Sequence, residues 1–213
     1  MPEARPCIDV LAGTNGAGKS SIGGSFLRTA VGEYFNPDEF ARRLRAIHPH
    51  LSLAEANALA WEQGRRGLAS AIVERRSYFL ETTLGGTTIT KLLGKACDVG
   101  LAVRIWYVGL ETETLHVKRV ATRVRRGGHD IPLADIQRRY RQSRLNLLTL
   151  LPRLAELVVY DNSREADPAA GLQPMPRVVL HLREGTIVGP PDLAPTPAWA
   201  KPIVAAALKF ARR

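Results

Sequence analysis

A doubly wound α/β fold, in which helices cover both faces of a mostly parallel central sheet to give three layers, is what this 213-residue sequence predicts. Three observations lead there. Apolar runs of strand length at 7–12, 77–80, 101–108 and 157–160 alternate with helix-length segments. The stretch Gly13 to Ser20 (GTNGAGKS) fits G-x-x-x-x-G-K-[ST] directly after the first of those runs. Polar residues gather just beyond the runs, at the strand ends where open parallel sheets bind ligands.

Taken in order, residues 7–12 are apolar enough to lie centrally in a parallel sheet, and 21–28 suit a helix after the glycine-rich loop. A short strand at 33–35 leads to Asn36-Pro37-Asp38-Glu39, which reads as N-cap, first helical position and acidic first turn. Ser52 and Glu55 form a capping box that opens a long helix to about Arg76. The strand at 77–80 ends in Glu81-Thr82-Thr83, and Gly85-Gly86 releases the chain into a helix over 89–99. A strand at 101–108 precedes a helix over 112–124, broken by Gly127-Gly128-His129; Pro132 begins another that runs to about Leu151. The strand at 157–160 ends in Asp161-Asn162-Ser163. Beyond it, 177–183 and 186–188 read as a hairpin about Glu184-Gly185, followed by a proline-rich connector and a terminal helix over 203–213. The expected organisation is one domain over 1–190, with the connector and helix of 191–213 packed on it.

Composition bounds the function. A hydrophobic fraction of 45% with 23% charged residues is ordinary for a globular chain. Cys7 and Cys97 have neither metal nor disulfide spacing, and residues 1–5 run straight into the first strand without room for a signal peptide. No apolar run approaches ~20 residues, which excludes a membrane span. The expectation is a reduced, cytoplasmic protein. The net charge of +10 is local: residues 118–144 hold nine Lys/Arg against Asp130 and Asp135, a net of +7. That segment is either a lid that clamps phosphates or a nucleic-acid patch.

The loop carries the most specific chemistry. Its glycines turn backbone N–H groups inward and the following helix start adds partial positive charge, so Gly13, Asn15, Gly16, Ala17, Gly18, Lys19, Ser20 and Ser21 are the expected nucleotide-binding set. Lys19 is expected on the β/γ-phosphates of ATP or GTP, and Ser20 on Mg²⁺. Asp38, at a helix start after the second strand, is the expected general base for an acceptor hydroxyl; its alternative is a helix-dipole acid. Glu81 holds substrate or metal-bound water, or is a solvated strand end; Thr82 and Thr83 bond substrate or simply fill the strand. Arg119, Arg123 and Arg126 share a helix face ahead of the Gly127-Gly128 bend, which suggests a hinged lid with Arg119 and Arg126 as its phosphate contacts. His129 is a loop residue with a candidate substrate contact, and Asn162 meets an adenine edge or closes a turn.

Taken together, Gly13 to Ser20, Asn36-Pro37-Asp38, Glu81 to Gly86, Arg119 to Val124, Gly127 to Pro132, Arg138-Arg139-Tyr140 and Asp161-Asn162-Ser163 resemble the zeta-toxin family, in the family's order over roughly residues 7–163. The resemblance implies a P-loop kinase fold and ATP- or GTP-dependent phosphorylation of a small molecule. In the best-known members that molecule is UDP-N-acetylglucosamine, and the kinase is the toxin of a toxin–antitoxin pair. Lys19, Ser20, Asp38 and Glu81 carry over by position and Arg119 and Arg126 map loosely onto the lid; the sugar-binding part of the longer toxins is not recognisable in this sequence.

The reading is thus a small-molecule kinase: Lys19 and the loop hold the donor, Ser20 holds Mg²⁺, Asp38 activates the acceptor, and lid arginines offset developing charge. The rivals are a nucleic-acid-binding ATPase or polynucleotide kinase using 118–144, and a nucleotide-binding module silenced by a partner such as an antitoxin. Against the first, Tyr140 is the one aromatic in that segment for stacking bases.

Overall fold

The computed structural model describes residues 6–19, 33–164 and 175–211. The helix expected over 21–28, Ser20 and Ser21 lie outside the described residues. The described chain runs β1 (Cys7–Ala12), β2 (Glu33–Phe35), α1 (Pro37–Ile47), α2 (Leu53–Val73), β3 (Tyr78–Thr82), α3 (Thr87–Asp98) and β4 (Ala102–Gly109). It continues through α4 (Glu113–Arg125), α5 (Leu133–Leu150), a 3₁₀ turn (Leu151–Arg153), β5 (Glu156–Asp161), β6 (Arg177–Arg183), β7 (Thr186–Gly189) and α6 (Lys201–Phe210).

The strands form one seven-stranded sheet in the order β2-β3-β1-β4-β5-β6-β7. β1 to β5 pair in parallel, with helical crossovers between β2 and β3, β3 and β4, and β4 and β5, and the short connection between β6 and β7 makes that pair antiparallel. The direction of winding reverses about β1. β2 and β3 lie to one side and β4 and β5 to the other, so the loop after β1 opens onto the crevice of the sheet. Register brings the strand ends level: Ala12 faces Thr82 and Tyr107, and Gly109 faces Asp161.

Alternation along the strands sorts the core. Ile8, Val10 and Ala12 join Leu80, Ile105 and Val159 in a large apolar cluster. Leu68 of α2, Leu93 of α3, Leu147 of α5 and Ile203 of α6 pack into it, as does Trp199 of the connector. The intervening residues Leu11, Phe79 and Val108 form a smaller cluster on the opposite face with Ala17 of the loop. Asp9 belongs to that second face and is wholly buried; Arg104 of β4 donates to both of its carboxylate oxygens at 2.7 Å.

Local signals set the element starts. Asn36 Oδ1 accepts from the N–H groups of Asp38 and Glu39 at 2.9 and 3.2 Å, with Pro37 opening α1. Ser52 and Glu55 exchange bonds as the capping box of α2. The end of α2 falls three residues earlier than the sequence suggests, because Arg75 turns left-handed (φ 53°) and the Arg76 N–H returns to the Ala71 carbonyl.

Candidate active site

The glycine-rich loop leaves β1 at Gly13, whose N–H donates to the Thr82 carbonyl at 3.2 Å. Gly13 has φ 147°, and a Cβ there would lie 2.3 Å from the Val108 carbonyl oxygen, so only glycine passes between β3 and β4. Beyond it the alternate carbonyls of the loop are each tied down. Lys19 Nζ donates to the Gly13 carbonyl at 2.7 Å, His116 Nδ1 to the Asn15 carbonyl at 2.8 Å, and Asn162 Nδ2 to the Ala17 carbonyl at 2.8 Å. The Asn15 and Ala17 carbonyls, engaged by side chains from outside the loop, leave it free to present N–H groups to an anion. Gly18 (φ 88°) lies against the Asn162 amide, where a Cβ would approach Nδ2 to 2.3 Å.

His116 had no place in the sequence reading, although it lies three positions before Arg119 on the same helix. It is 1% exposed, and burial holds its pKa down at about 4. Because a carbonyl can only accept, Nδ1 carries the proton. The edge of its ring meets Tyr140 at 5.3 Å between centroids. Tyr140 in turn donates to the Glu111 carbonyl at 3.0 Å and is covered by the Arg144 guanidinium at 4.1 Å.

Beside the loop, Glu81 at the end of β3 is almost fully buried and has both oxygens engaged. Oε1 faces Lys19 Nζ at 3.8 Å; Oε2 accepts from the Tyr34 hydroxyl at 3.1 Å and from Asn36 Nδ2 at 2.9 Å. Asn36 therefore caps α1 with its oxygen and orients Glu81 with its nitrogen. Burial lowers the pKa of Lys19, opposed first by Glu81 and then by Asp38. Asp38 in the first turn of α1 is more exposed, and Arg123 Nη1 stands 3.9 Å from its carboxylate. The bend after α4 folds His129 back so that its carbonyl accepts from Arg123 Nη2 at 3.2 Å. Burial lowers the His129 pKa, with Asp38 opposing.

Thr82 and Thr83 close the same edge. Their hydroxyls accept from the N–H groups of Leu84 and Gly85 at 3.1 and 3.3 Å. α5 fixes this turn from below: Tyr107 donates to Ser143, Ser143 to the Thr83 carbonyl at 2.7 Å, and Asn146 to the Leu84 carbonyl at 2.8 Å. Arg139, one helical turn before Ser143, donates to Asn15 Oδ1 at 2.8 Å and to Asp135 at 3.2 Å.

Between these groups and α2 lies a cavity of about 240 Å³. Asn15, Lys19, Asp38, Glu81, Thr82, Thr83 and His129, all expected at the site, line it together with Arg139. The arginines sort differently from the expectation. Arg119 lies beside Gly18 and donates to the Arg164 carbonyl at 3.2 Å, whereas Arg126 is an exposed C-cap residue outside the cavity lining. Arg123 and Arg139 are the guanidinium groups that face Asp38 and the loop. Asn162 meets the loop's own Ala17 carbonyl.

No protein-family model matches the chain. An uncharacterized protein of Haemophilus influenzae is 30% identical over 131 residues, which cover 60% of this chain and 88% of that protein. The chain belongs to the family of that protein. Solved structures share its fold at lower identity. The AvrRxo1-ORF1:AvrRxo1-ORF2 complex determined with sulphate ions has a TM-score of 0.62 and 17% identity, covering 99% of this chain and 78% of that one. The same pair determined with ATP gives 0.64 and 16%, covering 96% of this chain and 64% of that one. The PezAT toxin–antitoxin system of Streptococcus pneumoniae gives 0.53 and 16%, covering 75% and 68%. At these identities the likeness establishes the fold, a P-loop kinase-like α/β sheet. Among the described residues no helix is long and apolar enough to cross a membrane.

Proposed function

We propose that the chain is an ATP-dependent kinase of the zeta-toxin type that phosphorylates a hydroxyl of a small molecule. The observation that carries this reading is that one cavity is lined both by Lys19 of the phosphate loop and by Asp38, a carboxylate with room for a substrate in front of it. A nucleotide-binding module alone has no need of the second group.

In this reading Gly13 to Lys19 cradle the phosphates of ATP, a donor supported by a structural neighbour determined with ATP. The acceptor hydroxyl bonds to Asp38. As its oxygen attacks the γ-phosphorus, its proton passes to Asp38 and the bond to the ADP oxygen breaks. Arg139 and Arg123 offset the charge that spreads over the transferred oxygens, and Arg119 beside Gly18 lies nearer the donor. The oxygen-only donors here suit Mg²⁺, which keeps several waters and binds through one or two side chains plus phosphates. Ser20 and, through water, Glu81 would hold it, where it neutralises phosphate charge.

The resemblance brings a nucleotide sugar such as UDP-N-acetylglucosamine as acceptor and an antitoxin as partner; the AvrRxo1 and PezAT neighbours were each solved or characterised as two-component systems. The nucleic-acid alternative loses its stacking residue, because Tyr140 is already engaged by Arg144, His116 and the Glu111 carbonyl.

Two variants test the reading. Lys19→Ala abolishes phosphoryl transfer and weakens ATP binding. Asp38→Asn binds ATP as the parent does and loses transfer by about 10²–10⁴-fold. Full transfer by Asp38→Asn would overturn the assignment of the base.

A further inference from the structure

β5 ends in Asp161, and the next residue, Asn162, holds the Ala17 carbonyl of the phosphate loop. Its amide packs so closely on the loop that a Cβ on Gly18 would stand 2.3 Å from Nδ2. The loop is therefore only as well placed as Asn162, and Asp161 is what places Asn162. Asp161 Oδ1 accepts from the Ser163 N–H at 3.3 Å, which closes a turn with Asn162 at its centre, and the Asn162 N–H returns to the Gly109 carbonyl at 3.0 Å. The Ser163 hydroxyl donates to the same Oδ1 and accepts from the Glu111 N–H at 2.7 Å, which ties the turn to the approach to α4.

The Asp161 side chain is only 11% exposed, and a buried carboxylate needs partners for its charge. Its other two come from the far end of the chain. Trp199 Nε1 donates to Oδ1 at 3.2 Å, and the Arg177 guanidinium of β6 stands 3.7 Å from Oδ2. Arg177 also donates to the Pro195 carbonyl at 3.1 Å, which joins β6 to the connector that carries Trp199. The Trp199 ring is buried against Gly109, where a Cβ would come within 2.3 Å of it. Packing alone needs only that ring, yet its one N–H is aimed at the carboxylate next to the residue that grips the loop. Arg177 and Trp199 both lie beyond the stretch that resembles the zeta toxins, which ends at residue 163.

We infer that Trp199 and Asp161 are positioning residues for nucleotide binding. The C-terminal segment holds Asp161, Asp161 fixes the turn of Asn162, and Asn162 fixes the phosphate loop. Neither Trp199 nor Asp161 lines the cavity; both act through Asn162. The inference rests on the part of the kinase reading that makes the loop a nucleotide site, and on no step of phosphoryl transfer.

Three variants of the intact chain test it: Trp199→Phe, which keeps a ring on Gly109 and removes the N–H, Asn162→Ala, and the two combined. Calorimetry shows the ATP affinity of Trp199→Phe lowered by about three- to tenfold, at most the worth of one hydrogen bond. In the Asn162→Ala background the same substitution changes affinity by less than about twofold, because the route is already cut. Hydrogen exchange without nucleotide gives a second readout. Trp199→Phe speeds exchange of the amides of residues 13–19 and leaves β3 and β4 as protected as in the parent. Equal ATP affinity of parent and Trp199→Phe, losses that add in the combined variant, or exchange that rises equally across the sheet overturns the inference. Where the parent or Asn162→Ala binds no ATP, the exchange comparison alone decides it, and absence of binding by the parent contradicts the kinase reading. ATP binding that follows the expected pattern without transfer to any acceptor also contradicts that reading and leaves the inference standing.

Discussion

His116 shows how much of this site depends on groups that never meet a substrate. Its Nδ1–H holds the Asn15 carbonyl, as the Asn162 amide holds that of Ala17. Replacing it with leucine frees that carbonyl to face bound phosphate, and ATP binding weakens by roughly tenfold, the worth of one such bond. In His116→Asn the amide nitrogen stands near the position of Nδ1, so ATP affinity stays within about threefold; titration calorimetry of the two variants makes the comparison. The same residue sets a pH dependence. Its folded pKa of about 4 lies below the ordinary 6.5, so between those values the unfolded chain takes up a proton that the folded chain refuses. The stability that this group contributes is complete above about pH 6.5. It falls as pH drops towards 4, by at most about 1.4 kcal/mol per unit. Urea midpoints measured from pH 7 to 4 show that slope, and His116→Asn flattens it. Nothing in the sequence pointed to His116, because a lone histidine on a basic helix gives no sign of which backbone group it will meet.

At the scale of elements, Asn36 links the start of α1 to the end of β3. Asn36→Ala removes the cap of α1, at about 1 kcal/mol, together with the amide that orients Glu81. Asn36→Ser keeps a capping oxygen and removes only the amide. Thermal melts should therefore separate Asn36→Ala from the parent and leave Asn36→Ser close to it, while both lose phosphoryl transfer. A second element-level prediction concerns the face of the sheet that holds Asp9. In Arg104→Leu a fully buried carboxylate loses its partner, and the protein loses about 3–5 kcal/mol of stability in denaturant titration. The caps and strand runs were legible because each is a local signal: Asn36 before Pro37, Ser52 before Glu55, apolar alternation in β1 and β4. The choice among the arginines was not. Helical spacing puts Arg119, Arg123 and Arg126 on one face, but the end of α4 and the return of the chain at Gly127-Gly128 decide what each meets. Arg126 becomes an exposed cap, Arg123 is folded against His129 and Asp38, and Arg139 arrives from α5.

For the whole molecule, strand order does what no local signal could announce. The sequence gives strands in the order of the chain; only pairing puts β3 and β4 on either side of β1, so that Glu81, the glycine-rich loop and Asn162 share one edge. The basic segment changes meaning in the same way. Its charge suggested a lid or a nucleic-acid surface, and in the fold Arg138 and Arg139 face Asp135, Arg123 faces Asp38 and Arg144 covers Tyr140. Of that segment's cations Arg139 lines the cavity and Arg123 stands beside its Asp38, where a phosphoryl group is expected to pass. The central claim is that the γ-phosphoryl goes to an acceptor activated by Asp38 and not to water. Mass spectrometry of a metabolite extract incubated with the chain and isotopically labelled ATP tests it most directly. The account predicts a labelled, phosphorylated metabolite, absent with Asp38→Asn even where ATP still binds. Labelled inorganic phosphate as the sole product, equal for the parent and Asp38→Asn, would contradict it.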